Sequence, residues 1–328
     1  MKDVSRAVLC AVGADSRMEL TEIAELAGCS RETVRAKLKR LEKDYGLWYT
    51  VELDEEKINL PFRYIIAARL RREPSEKEVR ELLVNSSVPQ FAATCSGEFD
   101  LLVYAATGIH LDYLRWEYDA RRAFGEDLIS WKASNAVFKR FGFIPLKEAT
   151  LRALDLPAIE SKVLAALYQN SRISLRKLAV KTGCTLMQAR YAYEKLVKSG
   201  VIKRFTAVMR KPPMKSHVPC LLFQTFGKTH EEHSGEARKL IFRNYESELE
   251  NRDCIVLETA GAADGFDCIA AADKRAAYGS VKEMEQVYKG SLRTESAEIT
   301  KVLTGIIPAR CMDVRSAYDS SSWRTKTK

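Results

Sequence analysis

The spacing of apolar residues in positions 16–41 predicts two short helices joined by a tight turn. The first helix has one apolar face, formed by Leu20, Ile23, Ala24 and Ala27. Gly28 follows this helix at the position where a left-handed residue commonly ends a helix. Ser30 then stands where an N-cap belongs, since its side-chain oxygen can accept from the first free amides of the next helix.

The second helix combines an apolar face with a cationic face. The apolar face is formed by Val34, Leu38 and Leu41. The cationic face is formed by Arg31, Arg35 and Lys39, at positions i, i+4 and i+8. This pattern is typical of the recognition helix of a helix-turn-helix. An ordinary amphipathic pair with a solvated basic face has the same pattern, so the flanking segments decide between the two.

The segments on either side complete a winged helix over residues 1–58. A further amphipathic helix precedes the pair at residues 2–13, and Gly46 ends the second helix before the β-forming run LWYTV. We therefore expect three helices and a short hairpin. The expected wing carries four acids, Glu52, Asp54, Glu55 and Glu56. Because phosphates repel carboxylates, this wing is a poor contact for a DNA backbone.

Residues 60–150 predict a different kind of domain. Strand and helix patterns alternate there in the order β-α-β-β-α-β, with Ser75 and Glu78 as a capping box and with two strands that meet at Gly97. This order is that of a ferredoxin-like domain, which has an antiparallel sheet with helices on one face.

The chain then repeats itself after a linker that contains Pro157. Residues 171–196 align without gaps on residues 16–41, with eight identities in 26 positions. The identical pairs are Ser16/Ser171, Arg17/Arg172, Leu20/Leu175, Ala24/Ala179, Gly28/Gly183, Cys29/Cys184, Arg35/Arg190 and Leu41/Leu196. This agreement predicts a duplication.

The sequence thus predicts an α+β fold with two copies of a winged helix-turn-helix head, each followed by a ferredoxin-like βαββαβ domain. The second head spans residues 155–212 and the second α/β domain spans residues 216–310. Residues 311–328 form a basic tail that we expect to be disordered.

The composition of the chain indicates a class of binding partner and a cellular compartment. The chain has 328 residues, a net charge of +9 and a pI near 9.0, which fits a polyanionic partner. A long apolar run and a secretory signal are both missing, so we expect a cytoplasmic protein that does not enter a membrane. The eight cysteines are scattered singly, which fits neither a disulfide framework nor a zinc ribbon.

The order and spacing of these segments resemble the Lrp/AsnC (feast/famine) family of regulators. In the first half the resemblance is carried by GCSRETVRAKLKRLEKDYG and by the turn Gly97-Glu98-Phe99-Asp100. In the second half it is carried by GCTLMQARYAYEKLVKSGVIKRFTAV and by residues 261–267. The resemblance implies DNA binding by the heads. It also implies oligomerisation and small-molecule sensing, often of amino acids, by the α/β domains.

The sequence departs from the family pattern in ways that change these expectations. Two copies are fused, so the α/β domains can pair as an internal pseudo-dimer, and further homo-oligomers remain open. The second turn is longer, GAADGFD rather than GEFD. In the second recognition helix, Leu186, Arg190 and Glu194 replace Arg31, Arg35 and Lys39. We therefore expect the second head to bind DNA weakly or through its basic wing, since Glu194 repels phosphate.

The expected partners are double-stranded DNA and a small-molecule effector, with no metal and no cofactor. The candidate DNA-binding residues are Ser30, Arg31, Glu32, Arg35, Lys37, Lys39, Arg40, Gln188, Arg190, Lys203 and Arg204. The candidate effector-binding residues, taken from the resemblance, are Gly97, Glu98, Asp100, Asp264 and Asp267. The pair His230 and His233 shares a helix face, but without a third ligand a solvated helix start is favoured over a metal site.

Two alternatives to a regulator stay open. Some proteins of this architecture are siroheme decarboxylases, which hold a tetrapyrrole with histidines and arginines at the α/β interface. The comparable stretch here, VPQFAATCSGEFDLLVYAAT, contains neither residue type, so we expect a protein that is not an enzyme. The second alternative is a scaffold whose winged helices contact proteins. The acidic first wing and the second helix, which has few cations, favour it.

Overall fold

A computed structural model of the chain describes residues 4–141, 144–210, 219–225, 252–270 and 292–305, together with the single positions 279, 282 and 286. The chain divides into two compact units. The described residues up to Ile58 and from Glu148 to Arg210 form the head unit. Asn59–Lys147 and the described residues from Pro219 onward form the sheet unit.

The first part of the head unit has the predicted helix-turn-helix. Its elements are α1 (Val4–Ala14), α2 (Leu20–Ala27), α3 (Arg31–Tyr45) and β1 (Leu47–Leu53). Gly28 ends α2 with a left-handed backbone, φ 64°, and the Ser30 side chain accepts from the Thr33 amide as the N-cap of α3. Buried Ile23 and Val34 hold α2 and α3 in one apolar core.

The second part repeats this sequence of elements. It contains α6 (Glu148–Arg152), α7 (Ala158–Gln169), α8 (Leu175–Thr182), α9 (Leu186–Lys198) and β6 (Ile202–Met209). Gly183 has φ 67°, and the Thr185 side chain caps α9 by accepting from the Gln188 amide. The short helix α6 was not predicted from the sequence.

The prediction that each head forms its own hairpin wing is wrong. β1 instead pairs antiparallel with β6, and Thr50 lies opposite Thr206 in this register. Both threonines are buried: Thr50 donates to the Tyr168 carbonyl at 2.8 Å and Thr206 to the Gly13 carbonyl at 2.7 Å. These carbonyls lie in the last turns of α7 and α1, where backbone acceptors lack helical partners. The wing strands therefore join the two heads.

The described part of the sheet unit contains eight strands, with helices between some of them. The first half has β2 (Phe62–Leu70), α4 (Glu76–Glu78) running into a π-helical segment (Val79–Val84), β3 (Pro89–Gly97), β4 (Leu101–Thr107), α5 (His110–Phe124) and β5 (Leu128–Phe141). The second half has β7 (Pro219–Thr225), β8 (Arg252–Gly261), β9 (Gly265–Ala270) and β10 (Leu292–Thr304). The Ser75–Glu78 capping box is present as predicted.

All eight strands pair antiparallel into one closed sheet. The order is β10-β3-β4-β2-β5-β8-β9-β7, and β7 pairs back to β10. Alternation along β2 separates two cores, because Ile65 and Ala67 face one core while Ile66 and Ala68 face the core beneath α5. The predicted element order β-α-β-β-α-β of the first half is confirmed. The joining of both halves into one curled sheet was not predicted from the sequence.

Several predictions concern residues outside the described part of the chain. They include the helix expected at residues 230–250 with its pair His230 and His233, and the tail at residues 311–328. Within residues 271–291 the structure describes positions 279, 282 and 286, all helical. Within the described residues, no helix has the length and apolar character needed to cross a membrane.

Candidate functional site

The outer face of α3 carries the candidate DNA-binding residues of the first head. Val34, Leu38 and Leu41 are buried against the head, as the pattern predicts. Five candidates are exposed on the opposite side, and Lys37 is half-buried. The exposed five are Arg31, Glu32, Arg35, Lys39 and Arg40. Ser30 caps the helix, so its hydroxyl holds the N-terminus of α3 in place.

The key cations of α3 have no counter-charge in the described structure. Arg31, Arg35 and Lys39 make no ion pair or hydrogen bond to any described residue, whereas Arg40 pairs with Asp44 at 3.2 Å. An exposed and unpaired cation can approach a phosphate or a base edge without first breaking an internal bond. This face can therefore bind a polyanion.

The corresponding face of α9 is neutralised. Arg190 forms an ion pair with Glu194 at 3.2 Å, and Lys198 also contacts Glu194, at 3.6 Å. Gln188 completes a capping box with Thr185, so its side chain is engaged at the helix start. The candidates on α9 are thus bound within their own helix, in contrast to those on α3.

The segments predicted as an acidic wing and a basic wing are the strands β1 and β6 of one two-stranded sheet. Arg204 of β6 donates to Glu52 of β1 at 2.6 Å, and Lys203 lies 3.7 Å from the same carboxylate. The Glu52 side chain is only 4% exposed. Glu52 therefore does not face a phosphate, and the two candidate cations Lys203 and Arg204 are directed toward it.

The candidate effector residues lie in two separate turns. In the first turn Gly97 has φ 148° beside Ala297, and Glu98 exchanges hydrogen bonds with the backbone of Ser296. Asp100 accepts from the Leu70 amide at 2.9 Å. All three residues serve to dock this turn on neighbouring strands.

The second turn, at residues 261–264, docks in the same way on β5. The Ala262 amide donates to the Ala133 carbonyl and the Ala263 amide donates to the Ser134 hydroxyl. The Asp264 carbonyl accepts from the Thr259 amide, and Asp267 is buried. The five predicted effector residues are therefore not brought together into one cluster.

A small pocket beside the second turn was not predicted from the sequence. It is lined by Lys132, Ser134, Gln224, Ala262, Ala263, Arg293 and Glu295. Lys132 of β5 and Glu295 of β10 form an ion pair across it. The pocket has a volume of about 10 Å³, which is room for about one water molecule. Nothing in the local pattern marks these residues, because strands distant in sequence bring them together.

An aromatic cluster surrounds the described histidine. The Tyr64 hydroxyl lies 2.5 Å from His110 Nδ1, and the Tyr64 and Tyr113 rings stack at 3.6 Å between centroids. Burial raises the pKa of Tyr113, and its ring belongs to the core beneath α5 together with Trp116. The sequence pattern of α5 favours a core or interface position over base stacking for Tyr113, Trp116 and Tyr118, and the first two are buried. Tyr118, on the same helix, is exposed.

Comparison with protein families identifies the domain type of the second head. Residues 156–203 match the family described as winged helix-turn-helix DNA-binding. Comparison with curated proteins finds no match. The chain therefore carries a winged helix-turn-helix domain of the DNA-binding type.

Solved structures with a similar fold include an enzyme. The siroheme decarboxylase NirDL matches with a TM-score of 0.60 at 10% identity, over 98% of this chain and 99% of that chain. The same enzyme in co-complex with an iron-uroporphyrin III analogue matches with a TM-score of 0.57 at 10% identity, over 99% and 100%. The transcriptional regulator NMB0573/L-Met complex from Neisseria meningitidis matches at 17% identity over 43% of this chain and 92% of that chain, with a TM-score of 0.37.

The prediction that this protein is not an enzyme is wrong by this comparison, because an enzyme has the same architecture over its whole length. At 10% identity the likeness establishes the fold alone. The chain thus combines a winged helix-turn-helix of the DNA-binding type with an α+β architecture that is also found in an enzyme.

Proposed function

We propose that this protein is a sequence-specific DNA-binding regulator that reads DNA through α3 of its first head. The observation that carries the proposal is the contrast between the two recognition helices. On α3, Arg31, Arg35 and Lys39 are exposed and unpaired within the described structure. On α9 the aligned residues are an apolar Leu186, an ion-paired Arg190 and an acidic Glu194.

In this proposal the N-terminal part of α3 enters the major groove. Arg31, Glu32 and Arg35 face base edges, where one bidentate arginine–guanine contact provides about 1–3 kcal/mol of discrimination. Lys37, Lys39 and Arg40 lie farther along the helix and contact phosphates, which adds affinity without sequence information. The candidates of the second head, which are engaged internally, contribute less.

We further propose that the chain is a fused duplication whose α/β halves act as an internal pseudo-dimer. The helices Leu20–Ala27 and Leu175–Thr182 have corresponding bounds and each ends at a left-handed glycine, which supports this proposal. The pairings β5–β8 and β10–β3, which join the two halves of the closed sheet, also support it. In the same scheme a small-molecule effector acts on the turns at Gly97 and Gly261.

A mobility-shift series on the full-length protein tests the reading of DNA by α3. Lys39→Ala should weaken binding to all sequences alike and should reduce the salt dependence of binding, because one phosphate contact is lost. Arg35→Ala should instead reduce the difference between specific and nonspecific sequences. Arg190→Ala is the matched control in the second head and should change little. Unchanged binding in both α3 variants would refute the proposal.

A second candidate function is a siroheme-decarboxylase-like activity, which the whole-chain fold similarity favours. The pocket of the sheet unit does not fit a tetrapyrrole as it stands, because it holds about one water molecule and no histidine lines it. Titrating the purified protein with siroheme and following the Soret absorbance tests this candidate. A shifted band and release of carbon dioxide would support it, and an unshifted band would exclude it.

A further inference from the structure

The second head exposes an apolar surface beside its helix-turn-helix turn. Four side chains form it: Val180 is 84% exposed, Met187 74%, Tyr191 68% and Leu186 48%. Val180 lies in the last turn of α8, and the other three lie in the first turns of α9. Residues of this kind are rarely left in water as a group, and such groups commonly mark contact sites.

The same positions in the first head are not apolar in this way. The ungapped alignment places Glu25, Arg31, Glu32 and Ala36 of the first head at the positions of Val180, Leu186, Met187 and Tyr191, in that order. These four residues of the first head are also exposed. The fold of the two heads is alike here, since Gly28 and Gly183 have nearly the same φ. The difference therefore lies in the side chains presented at the surface that would face DNA, and three charges have been replaced by large apolar groups.

A groove along α8 continues this surface and is bordered by cations. Ile173 and Val180 line it together with Arg176, Lys177 and Lys181. Among the described residues, these three cations form no ion pair, although Lys181 donates to the Gln169 side chain at 2.7 Å. The groove thus has an apolar floor and a positively charged border, and no carboxylate lines it.

We propose that this surface of the second head binds an amphipathic helix of a partner protein, one with acidic residues beside its apolar face. The apolar residues of such a helix cover Val180, Met187 and Tyr191, and its carboxylates pair with Arg176 and Lys177. Helices of this type are commonly held in grooves by apolar anchors with charged residues at the edge. Duplex DNA is the less fitting ligand, because Leu186 and Met187 occupy the positions from which a recognition helix reads bases. This role is separate from DNA reading by α3.

The test uses the full-length protein and a synthetic, fluorescein-labelled helical peptide. The peptide has leucines on one face and glutamates beside them, and a matched peptide has lysines in place of the glutamates. Fluorescence anisotropy should show binding of the glutamate peptide that is about tenfold tighter than that of the lysine peptide and weaker at high salt. A 30-base-pair duplex is titrated in parallel.

Two surface variants identify the site. Met187→Ser/Tyr191→Ser should weaken the glutamate peptide about tenfold, because apolar anchors carry most of such binding energy. Arg176→Glu/Lys177→Glu should remove the preference for glutamate over lysine. Glu25→Ser/Ala36→Ser, at aligned positions of the first head, is the matched control and should leave peptide binding unchanged.

Three outcomes would overturn the proposal. The first is that the two peptides bind with equal affinity. The second is that neither second-head variant changes the affinity for the glutamate peptide. The third is that no peptide binds while Met187→Ser/Tyr191→Ser loses binding to the duplex. Circular dichroism of each variant confirms that it is folded. Because Arg35→Ala tests DNA reading by α3 separately, failure of either proposal is recognised independently of the other.

Discussion

The Arg204 guanidinium donates a 2.6 Å hydrogen bond to the Glu52 carboxylate, and this ion pair links β6 of one head to β1 of the other. Glu52 is almost completely buried, so it requires a cation. The sequence places these two charges in separate segments, an acidic one and a basic one. In the structure the two charges pair within one two-stranded sheet.

Arg204→Met should destabilise the head unit by about 3 kcal/mol, because it removes the 2.6 Å ion pair of the buried Glu52 carboxylate. Hydrogen-exchange protection of the β1 amides measures this loss locally. Lys203→Met is the control, since its half-exposed side chain lies 3.7 Å from Glu52 and should contribute less than about 1 kcal/mol. Equal effects of the two variants would contradict the assigned importance of Arg204.

Thr50→Val and Thr206→Val should each cost about 1–2 kcal/mol of unfolding free energy. Each variant keeps the shape of the side chain but removes a hydrogen bond to a helix-terminal carbonyl, Tyr168 or Gly13. Because the two threonines lie opposite each other in the β1–β6 register, we expect closely similar losses. Urea denaturation measures both. A large loss in one variant with none in the other would argue against equivalent roles at the two helix ends.

Gly97→Ala should disturb the pairing of β3 with β10. A Cβ at this position would lie 2.5 Å from the Ser296 carbonyl oxygen and 2.7 Å from Ala297 Cα, and φ is 148°. Gly125→Ala is a matched control, because Gly125 also has a positive φ but has open space around its added Cβ. Gly125→Ala measures the loss of unfolding free energy that a positive φ alone causes. Gly97→Ala should lose about 1–3 kcal/mol more, because its Cβ overpacks the contact with β10. Thermal unfolding followed by circular dichroism compares the two, and equal losses would contradict the close contact.

The sheet unit should lose stability in acid through Glu78. Both oxygens of this carboxylate accept from Arg72 at 2.8 Å, and these hydrogen bonds hold the pKa of Glu78 at about 2. Since the pKa is lowered from 4.5 by folding, the contribution is complete above pH 4.5 and is lost as the pH falls through about 2. Unfolding measured between pH 5 and pH 2 should show a smaller pH dependence in Glu78→Gln. An unchanged slope would contradict this role.

Local features of the heads were predictable from the sequence. The turn at Gly28, the cap at Ser30 and the capping box at Ser75 depend on residues within four positions of each other, so spacing reveals them. The burial of Val34 and Leu38 and the exposure of Arg35 follow from helical periodicity in the same way.

Pairings between distant segments were not predictable. The run LWYTV predicts that this segment is a strand, β1. It does not indicate whether the strand pairs with β6 or with a neighbouring strand of its own hairpin. The ion pair of Lys132 with Glu295 likewise depends on closure of the sheet by β7 and β10. For this reason the pocket beside the second turn was not predicted from the sequence.

Selection of binding sites from random-sequence duplex DNA by the full-length protein tests the central claim most directly. We expect enrichment of a single half-site, because Arg31, Arg35 and Lys39 of α3 are unpaired within the described residues whereas Arg190 of α9 is paired with Glu194. We expect Arg35→Ala to lose preference at one base pair of this half-site. Arg190→Ala should select the same site as the unchanged protein. Failure to enrich any sequence, or an enriched site that Arg35→Ala leaves intact, would contradict DNA reading by α3.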